Sequence, residues 1–462
     1  MSVVGGIMVP HPPLIIPEVG RGQESVIRKT SEAYEKAAQF VADLKPDTIV
    51  VISPHTIMYS DYLHISPGYR ASGDFGSFGA GQVRIAVEYD ADLSNRFCEL
   101  AEDAHIPAGY EGERDASLDH GTLVPLYFIC KKYRDFKVVR VGISGIPLAQ
   151  QYRFGTLIAQ AAKEMNRRVV VVASGDLSHK LQKSGPYGFD PSGPVYDEKV
   201  MDVMGKGEFY KLLHFDAGLL DKAAECGHRS FVIMGGAFDC LSVETTKYSH
   251  QDVTGVGYGI CTYKVLHDDE TKDYLNRYEQ ELEKKREEQM LMEDAYVSLA
   301  RRTIENYIAG EKLIGVPEGL PQEMYQKRAG AFVSLHIDGG LRGCIGTIGP
   351  TTGSVAEEII QNAVSASTKD PRFSPVREEE LPYLEYSVDV LGEPEIIDSP
   401  SQLDVKRYGV IVTKGLKRGL LLPDLDGVDT VEQQIAIAKQ KAGIAQEDKK
   451  VQLERFEVIR HH

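Results

Sequence analysis

At 462 residues the chain is too long for one ordinary core, and two or three domains are expected. A formal net charge of −16 argues against nonspecific nucleic-acid binding, which depends on Lys and Arg set against phosphates. No apolar run approaches a membrane span, and the first six residues lack the basic region and apolar core of a secretory signal. The six cysteines (Cys98, Cys130, Cys226, Cys240, Cys261 and Cys344) include no CxxC pair. That excludes a zinc ribbon, argues against a disulfide framework and makes a reducing cytoplasm the expected location.

The apolar run over residues 3–9 reads as a strand that stops at Pro10-His11-Pro12-Pro13. Proline cannot donate to a strand ladder, and it holds the histidine in a rigid turn. Ala33, Ala37, Phe40, Val41 and Leu44 recur near helical spacing and predict a helix over 25–44, broken at Lys45-Pro46-Asp47. A second buried strand, residues 48–53, ends in Pro54-His55. This β–α–β order implies a parallel sheet with right-handed crossovers. The glycine-rich stretch 68–81 is not spaced as a phosphate loop and has no GK[ST] after it, so it reads as a flexible lid or surface loop. Leu118-Asp119-His120-Gly121-Thr122 leads into an apolar helix over 123–130, followed by a strand over 137–143 and a helix over 151–165.

Four consecutive valines, Val169 to Val172, then mark a strand buried on both faces, as in the middle of a parallel sheet. It ends in Gly175-Asp176-Leu177-Ser178-His179. Ligands of open α/β sheets bind beyond the carboxyl ends of the strands, so chemistry is expected there. A helix over 195–204, the segment Ala223-Ala224-Glu225-Cys226-Gly227-His228, an apolar helix over 230–241 and strands near Val243 and over 257–265 follow. Residues 1–265 thus form an α/β domain with a largely parallel central sheet flanked by helices. Residues 266–290, dense in Glu, Lys, Arg and Asp, read as an exposed helical linker. Residues 291–462 read as a smaller α+β domain. It has helices over 295–308, 354–367 and 430–442, a hairpin over 330–347, a loop over 370–376, a strand over 384–391 and a hairpin over 409–422.

His11, His55, His179 and Glu225 beside Cys226 all stand at strand ends or a helix start, and all suit a metal. Two histidines and a carboxylate make the facial triad of non-haem iron(II) enzymes. Sequence alone permits other choices, because His64, His105, His120, His214, His228 and His250 also lie in the first half. Asp176 could orient His179 through its second ring nitrogen or cap the next turn.

Taken in order, Val9-Pro10-His11-Pro12-Pro13, Ser53-Pro54-His55, Leu118-Asp119-His120-Gly121 and Gly175-Asp176-Leu177-Ser178-His179 resemble the catalytic subunit of class III extradiol ring-cleaving dioxygenases. This LigB-like framework is shared with the Memo family. The resemblance implies iron held by His11, His55 and Glu225, with His179 as general base and His120 as an acid serving oxygen or substrate. Memo proteins are similar through the Cys-Gly segment and use that cysteine, here Cys226, as a ligand. Either residue could ligate: Glu225 favours iron(II) and oxygen chemistry, whereas Cys226 favours a softer site for iron, copper or zinc.

Leu341-Arg342-Gly343-Cys344-Ile345-Gly346-Thr347, with Asp370-Pro371-Arg372-Phe373-Ser374-Pro375, resembles the AMMECR domain. Arg342 could bind an anion and Cys344 could be a nucleophile, although no histidine within the motif activates it. Chains carrying both halves resemble the AmmeMemoRadiSam system protein A type, which implies a companion radical-SAM protein. The expected function is therefore an iron(II)-dependent dioxygenase-like enzyme acting on an aromatic, catechol-like substrate. The alternative is a non-catalytic iron- or copper-binding module, with the AMMECR domain as a docking surface. A zinc hydrolase ranks third, because HExxH is absent. No organic cofactor, nucleic-acid partner or membrane partner is expected; a homo-oligomer is.

Overall fold

Strands β1 (Val3–Val9), β2 (Thr48–Ser53), β3 (Lys137–Gly142) and β4 (Val169–Ser174) pair in parallel. Strands β5 (Leu241–Gln251) and β6 (Tyr258–Asp268) add an antiparallel edge, giving the order β3-β2-β4-β1-β6-β5. The sheet is thus mostly, not purely, parallel. The computed structural model describes residues 3–113, 116–310, 313–425 and 427–462. The chain divides into two units, Met1–Leu282 and Glu283–His462.

Val169, Val170, Val171 and Val172 are completely buried, each contributing about 1.5–3 kcal/mol relative to an exposed side chain. Strands β1, β4 and β2 are neighbours, with Val9 opposite Ser174 and Ile52 opposite Ala173. They therefore end level, and the residues that follow them share one edge of the sheet. The helix Arg28–Leu44 buries Ala33, Tyr34, Ala37, Ala38 and Val41. Its Tyr34 hydroxyl donates to the Pro10 carbonyl at 2.7 Å, tying the turn that carries His11 to the core.

Three expectations need correction. Residues 68–81 are not a flexible loop but most of a hairpin, Arg70–Phe75 against Ala80–Glu88, turning at Gly76–Phe78. Its Ala71, Phe75, Ala80 and Ile85 are buried, and the Leu118 N–H donates to the Ser72 carbonyl at 3.2 Å. The glycines obscured an alternating inward face. The helix expected over 230–241 is His228–Ala237, and Cys240 takes a left-handed turn (φ 55°) before β5 starts at Leu241. The charged helix is Tyr274–Met292, because β6 continues to Asp268.

Among the described residues, the second unit has two four-stranded antiparallel sheets. Its strands are β7 (Ala331–Ile337), β8 (Gly340–Gly346), β9 (Glu385–Leu391), β10 (Glu395–Ile397), β11 (Gly409–Lys414), β12 (Lys417–Leu421), β13 (Gln452–Phe456) and β14 (Val458–His461). They are ordered β8-β7-β9-β14 and β10-β13-β11-β12. The helices Ala295–Ile308 and Val355–Thr368 bury Leu299, Ile304, Ile359 and Ala363 with Val333, Leu335 and Val388 of the first sheet.

Candidate metal centre

His11 lies two residues beyond β1, His55 two beyond β2 and Asp176 two beyond β4, so the level strand ends bring all three to one edge. His11 is buried, its backbone N–H donates to Asp176 Oδ1 at 2.8 Å, and its Nδ1 is 3.0 Å from Ser174 Oγ. The His55 loop is clamped by Asp119, the N-cap of the helix His120–Lys132. The Asp119 carboxylate accepts from Ser53 Oγ at 2.6 Å, Thr56 Oγ1 at 3.0 Å, Thr122 Oγ1 at 2.9 Å and the Thr122 N–H at 3.0 Å. Burial would raise this carboxyl, but the Ser53 and Thr122 hydrogen bonds, with Arg140 nearby, hold it below its ordinary value. Cys226 arrives from the loop before the helix His228–Ala237, and its Sγ accepts from the Asp176 N–H at 3.3 Å. Only glycines allow that approach: a Cβ on Gly175 would sit 2.1 Å from the Gly227 Cα.

Three donor atoms converge. His55 Nε2 and His11 Nε2 are 3.0 Å apart, Cys226 Sγ is 3.6 Å from His11 Nε2, and all three ligand atoms lie within 4.8 Å of one another. These separations let one ion reach all of them at bond lengths of about 2.0–2.3 Å. Burial, with His55 alongside, lowers His11 to about 3, and burial also lowers His55, so both rings are neutral, as ligands must be. Burial, together with Asp176 and Glu225, pushes the Cys226 thiol well up, so ligation there displaces a proton. The donor set fits a soft or borderline divalent or monovalent metal.

Residues 5–261 match the family described as the catalytic LigB subunit of aromatic ring-opening dioxygenase, and residues 297–461 match AMMECR1. The chain belongs to the LigB family. Its LigB domain is joined to an AMMECR1 domain, and over its whole length the chain is similar to protein CA_C1420 of Clostridium acetobutylicum. That protein is 39% identical over 472 residues, covering 100% of this chain and 99% of its own length. A Thermotoga maritima protein is 53% identical over 173 residues, 37% of this chain and 99% of its own. The crystal structure of protein PH0010 from Pyrococcus horikoshii is 34% identical, covers 36% of this chain and 88% of its own, and superposes with a TM-score of 0.34.

The other residues singled out in the LigB domain fall into distinct places. Glu225 is not with the histidines: its Oε2 accepts from the His228 N–H at 2.6 Å, so the carboxylate serves the start of a helix. Asp176 makes no hydrogen bond to the His179 ring among the described residues; it holds the His11 backbone instead, and burial raises its carboxyl to about 6. His120 is beside the cluster, its ring centroid 4.0 Å from that of His55 and 5.4 Å from that of His11, and burial with His55 lowers it to about 3. His179 lies outside the donor cluster, stacked on Tyr187 at 4.9 Å between centroids; burial lowers it, while nearby Asp176 pulls the other way. Phe78, at the hairpin turn, meets His120 edge-on at 5.5 Å.

Sequence reasoning missed Asp119 and Ser174. The signal for Asp119 was its place before an apolar helix, the ordinary N-cap position; nothing in the sequence marked Ser174. In the AMMECR1 domain, the anion beside Arg342 is internal, since its guanidinium pairs with both oxygens of Glu380 at 2.7 and 3.0 Å. Cys344 Sγ accepts from Ser334 Oγ at 3.2 Å, and its backbone N–H donates to Asp370 at 2.9 Å.

Proposed function

We propose that the LigB domain is a mononuclear redox-metal enzyme in which His11, His55 and Cys226 hold iron(II), acting with dioxygen on a small aromatic diol. The observation that carries this reading is the convergence of two neutral imidazoles and one thiol at the carboxyl edge of the sheet. When bound, such a metal supplies open positions for substrate oxygens and dioxygen. The residues around it do the rest. His179 is neutral and set back from the donors, placed to take a proton from a substrate hydroxyl. His120, held at a helix start against His55, is placed to donate a proton or to stabilise a developing oxyanion. Phe78 and Tyr187 add apolar faces beside those two imidazoles.

A second reading is favoured by Cys226 itself. A thiolate in place of a carboxylate suits copper as well as iron, which supports a non-catalytic metal module. In that case the AMMECR1 domain would dock a radical-SAM partner. Metal analysis after anaerobic loading with iron(II) or copper(I) separates the assignments. Cys226→Ala and His55→Ala are expected to empty the site, whereas Glu225→Ala and His179→Ala are expected to retain metal. Oxygen uptake with a catechol panel then tests catalysis. No uptake from a fully iron-loaded site sinks the enzyme reading and leaves the metal module.

A further inference from the structure

Strand β4 ends at Ser174, a completely buried residue standing between His11 and the helix that begins at His120. Its Oγ is 2.6 Å from the Gly121 carbonyl oxygen and 3.0 Å from His11 Nδ1. A carbonyl oxygen cannot donate, so at that separation the serine proton must lie between the two oxygens. Serine has only one such proton. The second contact must therefore be His11 Nδ1–H donating to a lone pair of Oγ. This puts the ring proton on Nδ1 and leaves Nε2 an open lone pair. Nε2 is the atom that faces His55 Nε2 at 3.0 Å and Cys226 Sγ at 3.6 Å.

We propose that Ser174 is a positioning residue that sets the tautomer and ring orientation of His11 for metal binding, by relaying its hydrogen bond to the Gly121 carbonyl. The inference rests on the metal-centre reading above. It also explains why a polar side chain closes an otherwise apolar, fully buried strand. The relay makes one helical turn, residues 119–122, the brace for both histidine-bearing loops. Asp119 grips the His55 loop through Ser53 and Thr56, and Gly121 grips His11 through Ser174. Partners that orient a ligating histidine in this way are worth about 10–100-fold in metal affinity.

The test uses the full chain, labelled with 15N-histidine and treated with chelator. The wild-type His11 ring is expected to carry its proton on Nδ1 alone, whereas Ser174→Ala is expected to show both tautomers. Titration with iron(II) under anaerobic conditions, and with copper(I), should show affinity lower by about 10–100-fold in Ser174→Ala. Ser174→Thr, which keeps the hydroxyl, should recover most of it. A wild-type His11 protonated on Nε2 overturns the proposal without any variant having to fold. Equal affinities of wild type and Ser174→Ala overturn the role of Ser174 and leave the metal centre standing. A wild type that binds neither ion overturns both.

Discussion

Gly175→Ala isolates the contact that brings the two halves of the donor set together. Gly175 does not adopt a left-handed backbone, so alanine is conformationally acceptable there; the obstacle is purely the neighbour. The new Cβ would lie 2.1 Å from the Gly227 Cα, whereas ordinary contact begins at 3.4 Å, so the loops must part by about 1.3 Å. Neither side is a flexible side chain. Asp176 holds the His11 backbone on one side of that contact, and Cys226 precedes Gly227 on the other. Parting the loops therefore acts on the separation of Sγ from His11 Nε2, now 3.6 Å. One ion can bridge a nitrogen and a sulfur no more than about 4.4 Å apart at bond lengths of about 2.1 and 2.3 Å. Taken up along that direction, the displacement carries the pair past the limit. The expected result is loss of tight metal binding, with a destabilisation of about 1–3 kcal/mol from overpacking. Gly349→Ala is the control, since a Cβ there meets nothing within 4 Å. The assay is metal stoichiometry and affinity by titration, with thermal unfolding alongside. Wild-type affinity in a folded Gly175→Ala protein would refute the reasoning.

Asp119→Ala should destabilise the LigB domain by about 2–4 kcal/mol, from a lost helix cap and charge-assisted hydrogen bonds, as read by calorimetry. Because its folded pKa is depressed, this stabilisation is present above the unfolded carboxylate pKa and is lost as pH falls through the folded value, so wild type and variant should converge in acid. Arg342→Ala should cost the AMMECR1 domain about 1–3 kcal/mol by leaving Glu380 without its guanidinium partner, with the Arg377 N–H still donating to it. Arg342→Lys should recover only part, because the pairing is bidentate; unchanged urea unfolding of both variants would show the pair to be inert. Cys226→Asp should shift metal preference from copper(I) towards iron(II) in a competition assay, and an unchanged preference argues against ligation by residue 226.

The parallel strands were legible because four β-branched residues in a row, Val169 to Val172, and short apolar runs stopped by Pro10 and Pro54 favour buried strands over helices. What followed from those stops was the placement of His11, His55 and Asp176 at one edge, since parallel strands in register end level. Elements without an apolar signature were not legible. Gln452–Phe456 and Val458–His461 carry Glu454, Arg455 and Arg460 and gain their strand character from pairing with β11 and β9. The hairpin Arg70–Phe75 with Ala80–Glu88 was hidden by glycines that mark loops elsewhere. Ser174 was invisible for another reason: its role depends on a carbonyl 53 residues away, and no local pattern encodes a long-range acceptor.

The choice between Glu225 and Cys226 shows where local reading ends and geometry begins. The two are adjacent, and the chain turns from Ala224 (φ 51°) into the helix His228–Ala237 across them. A helix start leaves backbone N–H groups without intrahelical partners, and Glu225 meets that need, accepting from His228 three residues on. Once its carboxylate faces the amides of this helix, Cys226 is the neighbour left to face the histidines. The Asp176 N–H donates to the Cys226 sulfur, while the Asp176 carboxylate holds His11. One residue at the tip of β4 therefore positions two of the three donors without contributing an atom to the donor set. The carboxylates of this site have become scaffolding: Asp176 for His11 and Cys226, Asp119 for His55, Glu225 for the helix. That division of labour, with thiol and imidazole as candidate donors and acids as braces, makes the donor set softer than two histidines and a carboxylate would be.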